Sequence, residues 1–282
     1  MTLYREALKE GTERLEAAGI DTARLDAEVL LSCACGINRA KLLSRLNEVL
    51  PEKRYGSYCK YLGMRENRYP ISYITGHREF MGLDFAVSEG VLIPRPETEL
   101  LVETVMGMLP QNAAVIDLCT GSGAIAVSLA HYLYDAHIYA LDISDAACST
   151  AKRNAERLHV ADRVKVLHGD LYQPLPAGIA ADAVVSNPPY IRSGDMAGLM
   201  SEVSYEPAEA LDGGGSGIEF YERIIEEAPQ HLRDNGILAL EIGYDEADEV
   251  ASMMDRDYKD IRVIKDMAGL DRVAVGRMRA RD

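Results

Sequence analysis

The sequence predicts a doubly wound, mainly parallel α/β sheet preceded by a small helical bundle. Three observations predict it. From Ala113 onward, short apolar runs alternate with segments of helical period, the pattern that builds parallel sheets with crossover helices. A glycine-containing loop, Asp117-Leu118-Cys119-Thr120-Gly121-Ser122-Gly123, separates the first of these runs from its helix. Residues 1 to about 70 carry helical periodicity with little strand signal.

The N-terminal stripes come first. Leu3, Ala7, Leu8, Leu15 and Ala18 recur at helical spacing, as do Leu25, Val29, Leu30 and Leu31. Leu42, Leu43, Leu46 and Leu50 form a third stripe, stopped by Pro51, and Tyr55, Tyr58, Tyr61 and Leu62 a fourth. All four are expected to face the core of a bundle. Arg78 to Val87 alternates around Gly82, which predicts a β-hairpin. In Val91-Leu92-Ile93-Pro94-Arg95-Pro96-Glu97-Thr98-Glu99 two prolines fix an extended entry, present Arg95 rigidly and lead into a helix.

Strands are then expected at Ala114–Asp117, His137–Asp142, Arg163–His168, Ala181–Ser186, Gly236–Glu241, Ile261–Lys265 and Arg272–Gly276. Helices are expected at Gly121–Leu133, Asp145–His159, Glu219–Leu232 and Glu246–Asp255. The chain thus divides into a helical domain over 1–75, a hairpin linker over 76–95 and an α/β domain over 96–282.

Composition narrows the function. Of 282 residues, 48% are hydrophobic and 27% charged, as in ordinary soluble domains, and the net charge is −15. Duplex-binding surfaces are usually basic, so this balance argues against direct nucleic-acid binding and suits a basic protein partner. No apolar run is long enough to span a bilayer and no export signal is apparent, so a cytoplasmic location is expected. A monomer is the expected oligomeric state. The five cysteines, Cys33, Cys35, Cys59, Cys119 and Cys148, are scattered and read as free thiols. No second Cys/His pair stands at zinc-site spacing, so no metal is expected.

Asn187-Pro188-Pro189-Tyr190 follows the apolar run Ala183-Val184-Val185. Proline fixes φ and pushes the preceding residue into an extended conformation. Ligands of open α/β sheets bind beyond the carboxyl ends of the strands. A stiff corner there can offer the Asn187 side-chain oxygen and the Pro188 carbonyl to one planar NH2 group, with Tyr190 packing on its carrier. A planar amide and an amino-substituted base both fit, and a plain structural turn remains the alternative.

The glycine loop lacks the phosphate-binding GxxxxGK[ST] pattern, and Ala126 takes the last place of a GxGxxG. Asp142 ends the next strand and can accept hydrogen bonds from both hydroxyls of a ribose; Asp170 ends the third and can serve an adenine amino group. Sites for NAD and for S-adenosylmethionine both use such acids. No nicotinamide-binding pattern is apparent, whereas Asp117 before the loop and the Asn-Pro-Pro-Tyr corner suit a methyltransferase.

Tyr73-Ile74-Thr75-Gly76, Phe80 to Phe85, Val91 to Glu99 (VLIPRPETE), Asp117 to Gly123, Asn187 to Tyr190, Tyr205-Glu206-Pro207 and Leu240-Glu241-Ile242-Gly243 together resemble the peptide chain release factor N5-glutamine methyltransferase family, the HemK/PrmC type, over nearly the whole chain. The resemblance implies a class I S-adenosylmethionine-dependent methyltransferase fold, Rossmann-like with a mainly parallel seven-stranded sheet. It implies methylation of the glutamine in the Gly-Gly-Gln motif of class 1 release factors, with the N-terminal domain contacting that substrate. Cys119, Thr120, Gly121, Ser122, Gly123, Asp142, Asp170, Leu171 and Asn187 would bind the cofactor. Asn187, Pro188, Pro189 and Tyr190 would hold the glutamine, with Asn187, Pro188 and Tyr190 serving catalysis. Leu171 stands where some members carry an aromatic residue, and Ser216 where an Asp is frequent. A ribosomal-protein glutamine methyltransferase, a nucleic-acid adenine N6-methyltransferase and a non-catalytic cofactor-binding scaffold are the competing readings.

Overall fold

Leucine and alanine stripes build five helices at the N-terminus: α1 (Tyr4–Ala17), α2 (Ala23–Cys35), α3 (Arg39–Ser44), α4 (Glu52–Glu66) and α5 (Ile71–Thr75). The structure, a computed structural model, describes residues 2–280. It divides into two compact units, one reaching to His77 and including Met200–Tyr205, the other comprising Arg78–Leu199 and the residues from Glu206 onward.

In the first unit Leu8, Leu15, Leu30, Leu31, Leu42, Tyr58 and Leu62 form one buried cluster. Gly11 lets α1 approach α4 closely, since a Cβ there would lie 1.9 Å from the Tyr58 hydroxyl. Arg65 of α4 donates to Asp26 of α2 at 2.8 Å, and both are nearly buried. Arg65 also reaches Glu202 at 3.1 Å, while the Tyr205 hydroxyl donates to the Asn67 carbonyl at 2.9 Å. A segment distant in sequence thereby belongs to the helical unit.

Two stripe positions face water instead of the core: Leu25 is 44% exposed and Leu43 43%. Each lies off the buried face of its helix, which α2 builds from Ala23, Ala27, Leu30, Leu31 and Ala34. The third stripe is not one helix either. α3 is six residues long, and Leu50 reaches the core from an extended segment whose N–H bonds Thr2.

The second unit begins at Arg78, the second residue of the hairpin β1 (His77–Phe80) and β2 (Leu83–Ala86). Met81 and Gly82 both have positive φ, the conformation a two-residue hairpin turn requires. Then follow α6 (Pro96–Met106), β3 (Ala114–Leu118), α7 (Ala124–Tyr132), β4 (His137–Asp142), α8 (Asp145–Arg157), β5 (Val164–His168), β6 (Ala181–Ser186), β7 (Ile191–Arg192), β8 (Asp212–Gly214), α9 (Glu219–Glu227), β9 (Leu232–Glu241), α10 (Ala247–Met254), β10 (Tyr258–Lys265) and β11 (Asp271–Met278). Pro96 opens α6, with Glu97 and Glu99 in its first turn.

Seven strands form one sheet in the order β10-β11-β9-β6-β3-β4-β5, in which only β11 runs against its neighbours. This is the mainly parallel seven-stranded sheet expected. Alternate residues face opposite layers. Val115, Val185 and Ala239 pack under α6 and α7, whereas Ile116, Val184 and Leu238 pack under α9 and α10. Chain order reverses direction between β3 and β6, which places a ligand crevice at their carboxyl ends.

Element ends differ from the sequence expectation where polar residues intervene. The helix expected over Glu219–Leu232 ends at Glu227, with a short 3-10 turn over Ala228–Gln230, and Leu232 already opens β9. Pro229, without an N–H, cannot continue the helix, and the polar run Arg233-Asp234-Asn235 masks the strand. β10 likewise starts at Tyr258 rather than Ile261, across Lys259 and Asp260.

Arg65→Ala leaves Asp26 buried beside a lost cation. The expected cost is about 3–5 kcal/mol in urea-induced unfolding, and a loss within experimental error would show that this pair does not hold α2 to α4.

Candidate active site

Parallel register sets the site. Leu118 of β3 lies opposite Leu141 of β4 and Ser186 of β6, and Ser186 lies opposite Leu240 of β9. The next residue on each strand is therefore Cys119, Asp142, Asn187 and Glu241, all at one level at the sheet's carboxyl edge.

Asp117 organises the glycine loop from beneath. It is wholly buried, and its Oδ2 accepts from the Thr120 hydroxyl at 2.6 Å and the Ala126 N–H at 3.1 Å. Burial pushes its carboxyl up to about 7, against the lowering effect of those two bonds. Gly123 caps α7 in the left-handed conformation (φ 80°), and a Cβ there would lie 3.0 Å from the Ala151 Cβ. Only glycine combines that turn with that approach.

Asp142 accepts from Gly121 N–H at 2.8 Å through Oδ2 and from Ser144 N–H at 2.9 Å through Oδ1. Burial raises its pKa as well. A carboxylate has about four acceptor sites, so two hydrogen bonds leave room for a ribose diol. Asn154, buried in the middle of α8, donates to the carbonyls of Ala86 and Ser122 and accepts from Ala86 N–H. It ties the end of β2 to the glycine loop. Sequence reading missed it, because an Asn within a helix carries no signal of contacts 68 residues away.

At the proline corner the Asn187 amide Nδ2 donates to Thr98 Oγ1 in the first turn of α6, at 3.2 Å. Among the described residues Asn187 Oδ1 has no such partner. Pro188 is buried, and Tyr190 packs against the layer under α9 and α10, where burial first, and Glu241 next, push its hydroxyl up to about 12. Ile191 then pairs with Asp212, bringing Gly213 so close that a Cβ there would lie 2.7 Å from the Tyr190 Cα. Glu206 is buried, accepts from Ile93 N–H at 3.0 Å and pairs with Arg95, clasping the proline-rich lead into α6.

These groups surround a cavity of about 610 Å³, within the usual range for small-molecule sites. Cys119–Ser122, Asp142, Asp170, Leu171, Asn187 and Pro189 line it; Gly123, Pro188 and Tyr190 do not. Asp170 is already engaged by Arg223, at 2.5 Å, and by Gln173. A cavity of this size with two carboxylates on its wall has the room and the acceptors for a nucleoside cofactor. Thr98 and Arg95 also line the cavity, although the sequence pointed to neither as a site residue.

A curated relative from Moorella thermoacetica named "Release factor glutamine methyltransferase" is 46% identical over 96% of this chain and 97% of its own length. The chain belongs to the release factor glutamine methyltransferase family. A Clostridium acetobutylicum protein of the same name is 43% identical over 89% of this chain and 90% of its own. The family model "PrmC N-terminal domain" matches residues 6–76, and "Methyltransferase small domain" matches 96–271. Among solved structures, the "Methyltransferase from Pyrococcus furiosus" overlays with TM-score 0.55 at 20% identity, over 72% of this chain and 91% of that one. The hMettl16 catalytic domain, in complex with an RNA hairpin, overlays with TM-score 0.57 at 20% identity, over 79% and 82%. Both share the class I methyltransferase fold with the family.

Two buried carboxyls make stability depend on pH. Asp117 and Glu241 are held at about 7, mainly by burial, against unfolded values near 4. Their contribution is greatest below the unfolded value and is lost as pH rises through about 7. Thermal melting is expected several degrees higher at pH 6 than at pH 8, with Asp117→Asn narrowing the gap. A wild-type melting point that rises from pH 6 to pH 8 contradicts this.

Proposed function

We infer that this chain transfers the methyl group of S-adenosylmethionine to the side-chain amide N5 of the glutamine in the Gly-Gly-Gln motif of class 1 release factors. The observation that carries it is the Asn187 amide, whose donor end is committed to Thr98 while its oxygen is left to accept. An acceptor fixed beside a cofactor-sized cavity is what a substrate NH2 needs. Full-length similarity to release factor glutamine methyltransferases supplies the substrate class.

Bound in the cavity, S-adenosylmethionine supplies a methyl group activated by its sulfonium leaving group. Cys119 to Gly123 shape the loop against it, Asp142 takes the ribose hydroxyls, and Asp170 and Leu171 border the adenine. An amide nitrogen is a poor nucleophile because its lone pair is delocalised into the carbonyl. Asn187 Oδ1 and the Pro188 carbonyl each accept one N–H of the glutamine, which aligns the nitrogen and stabilises the positive charge it gains during transfer. Pro189 and Tyr190 keep the corner rigid. No strong base is required, since the extra proton can leave after transfer.

Residues 1–75 serve as the recognition domain for the release factor, 76–95 as the linker and 96–282 as the transferase. We place the enzyme in the cytoplasm, as a monomer that does not bind nucleic acid directly. The net charge of −15 supports the last point, and no described helix is long and apolar enough to cross a membrane.

Methyl-labelled S-adenosylmethionine should label an unmodified release factor and leave the same factor with its Gly-Gly-Gln glutamine changed to alanine unlabelled, along with DNA. Asn187→Ala should lose about 100-fold or more in turnover while keeping cofactor affinity within a few fold by calorimetry. Label on DNA alone, or near-wild-type turnover by the variant, sinks this reading.

A further inference from the structure

The backbone and the side chain of Asp170 are placed by different parts of the chain. β5 lies beside β4 in the sheet, and its last residue, His168, pairs with Asp142. Neighbouring strands stand about 4.8 Å apart. A nucleoside whose ribose meets Asp142 therefore brings its base to the loop after β5. That loop is fixed from within. The Gly169 N–H donates to the Asp142 carbonyl at 2.9 Å and the Gln173 N–H to the Asp170 carbonyl at 3.0 Å, while Leu171 is held at φ 44°, an uncommon conformation outside glycine.

The carboxyl is placed from 53 residues away. Arg223 Nη2 of α9 donates to Asp170 Oδ2 at 2.5 Å, and Gln173 Nε2 donates to the same oxygen at 3.3 Å. Among the described residues no hydrogen bond reaches Oδ1. Asp170, Leu171, Phe220 and Arg223 all line the cavity. The Arg223 guanidinium lies 6.0 Å from the centre of the Phe220 ring, about one helical turn earlier on α9. One face of α9 thus supplies both an apolar wall and the cation that holds Asp170.

Folding has little use for this pair. The Arg223 and Asp170 side chains are 48% and 31% exposed, and ion pairs open to water contribute little to stability. What a donor on one carboxylate oxygen does supply is orientation, because the other oxygen is then left to accept.

Resting on the reading that puts the cofactor's adenine beside Asp170, we propose that Arg223 is a positioning residue for base recognition: by occupying Asp170 Oδ2 it turns Oδ1 to the cavity, where that oxygen accepts from the 6-amino group of adenine. A carboxylate only accepts hydrogen bonds. A purine with a carbonyl at position 6 therefore sets one acceptor against another and is rejected. Without Arg223 the carboxyl is free to turn, and the penalty relaxes.

The test is the affinity, by calorimetry, of S-adenosylhomocysteine and of S-inosylhomocysteine, which carries a carbonyl in place of the 6-amino group. The proteins are the wild type, Arg223→Ala, Arg223→Lys and Asp170→Asn, with melting measured for each. The wild type is expected to favour the adenine compound by about 50-fold. Arg223→Ala should lower that ratio to about fivefold, through weaker binding of S-adenosylhomocysteine, with melting hardly moved. Arg223→Lys should recover most of the ratio, since a single N–H makes the contact. Asp170→Asn can turn its own NH2 to the carbonyl and should bring the ratio near one. An Arg223→Ala protein with the wild-type ratio overturns the proposal, as does an Arg223→Lys protein no more selective than Arg223→Ala. A ratio that rises in Arg223→Ala also overturns it, because the guanidinium itself would then meet the base. Asp170→Asn with the wild-type ratio removes the placement of adenine beside Asp170 and this inference with it. A ratio lowered by Asp170→Asn but kept by Arg223→Ala removes only the inference.

Discussion

Everything at the site depends on the register of four parallel strands. Leu118, Leu141, Ser186 and Leu240 lie side by side, so the residues after them emerge at one height. A slip of one residue would send each following side chain to the opposite face of the sheet. The glycine loop, Asp142, the proline corner and Glu241 would then no longer meet. The interdigitated layers on both faces, Val115 and Val185 beneath α6 and α7, Ile116 and Val184 beneath α9 and α10, make such a slip costly.

On that edge the protein uses buried carboxyls as local organisers. Asp117 shapes the glycine loop through Thr120 and Ala126, and Glu206 clasps Ile93 and Arg95. Burying a carboxyl costs free energy that its hydrogen bonds or ion pair must offset. What they add is direction: a backbone loop and an arginine each held in one orientation. The cavity is thus shaped in part by carboxyls that do not line it themselves. This is also why separated sequence motifs belong together, since Glu206 lies 111 residues from the arginine it pairs with.

Much of the architecture was legible in the sequence because it is local. Alternating apolar runs announce a parallel sheet, and a strand followed by glycines or by two prolines announces a loop at its carboxyl end. Those signals located Asp142, Asn187 and residues 119–123. What stayed hidden is lateral. Asn154 looks like any polar helical residue until it is seen bonding Ala86 and Ser122. Thr98 lay inside a motif whose resemblance was noted, but nothing in a linear chain says that it meets Asn187. Leu25 and Leu43 failed in the opposite sense, because helical spacing shows that a face exists but not which face is covered.

The central claim is that the Asn187 oxygen receives the amide proton of a glutamine beside the cofactor. The most direct measurement is a crystal structure with S-adenosylhomocysteine and a glutamine-containing release-factor fragment, at a resolution where the hydrogen-bond network fixes the Asn187 amide. The account predicts the glutamine nitrogen within hydrogen-bonding distance of Asn187 Oδ1 and the Pro188 carbonyl, with Asn187 Nδ2 still on Thr98. A glutamine bound elsewhere, or Asn187 presenting its NH2 to the ligand, would contradict it.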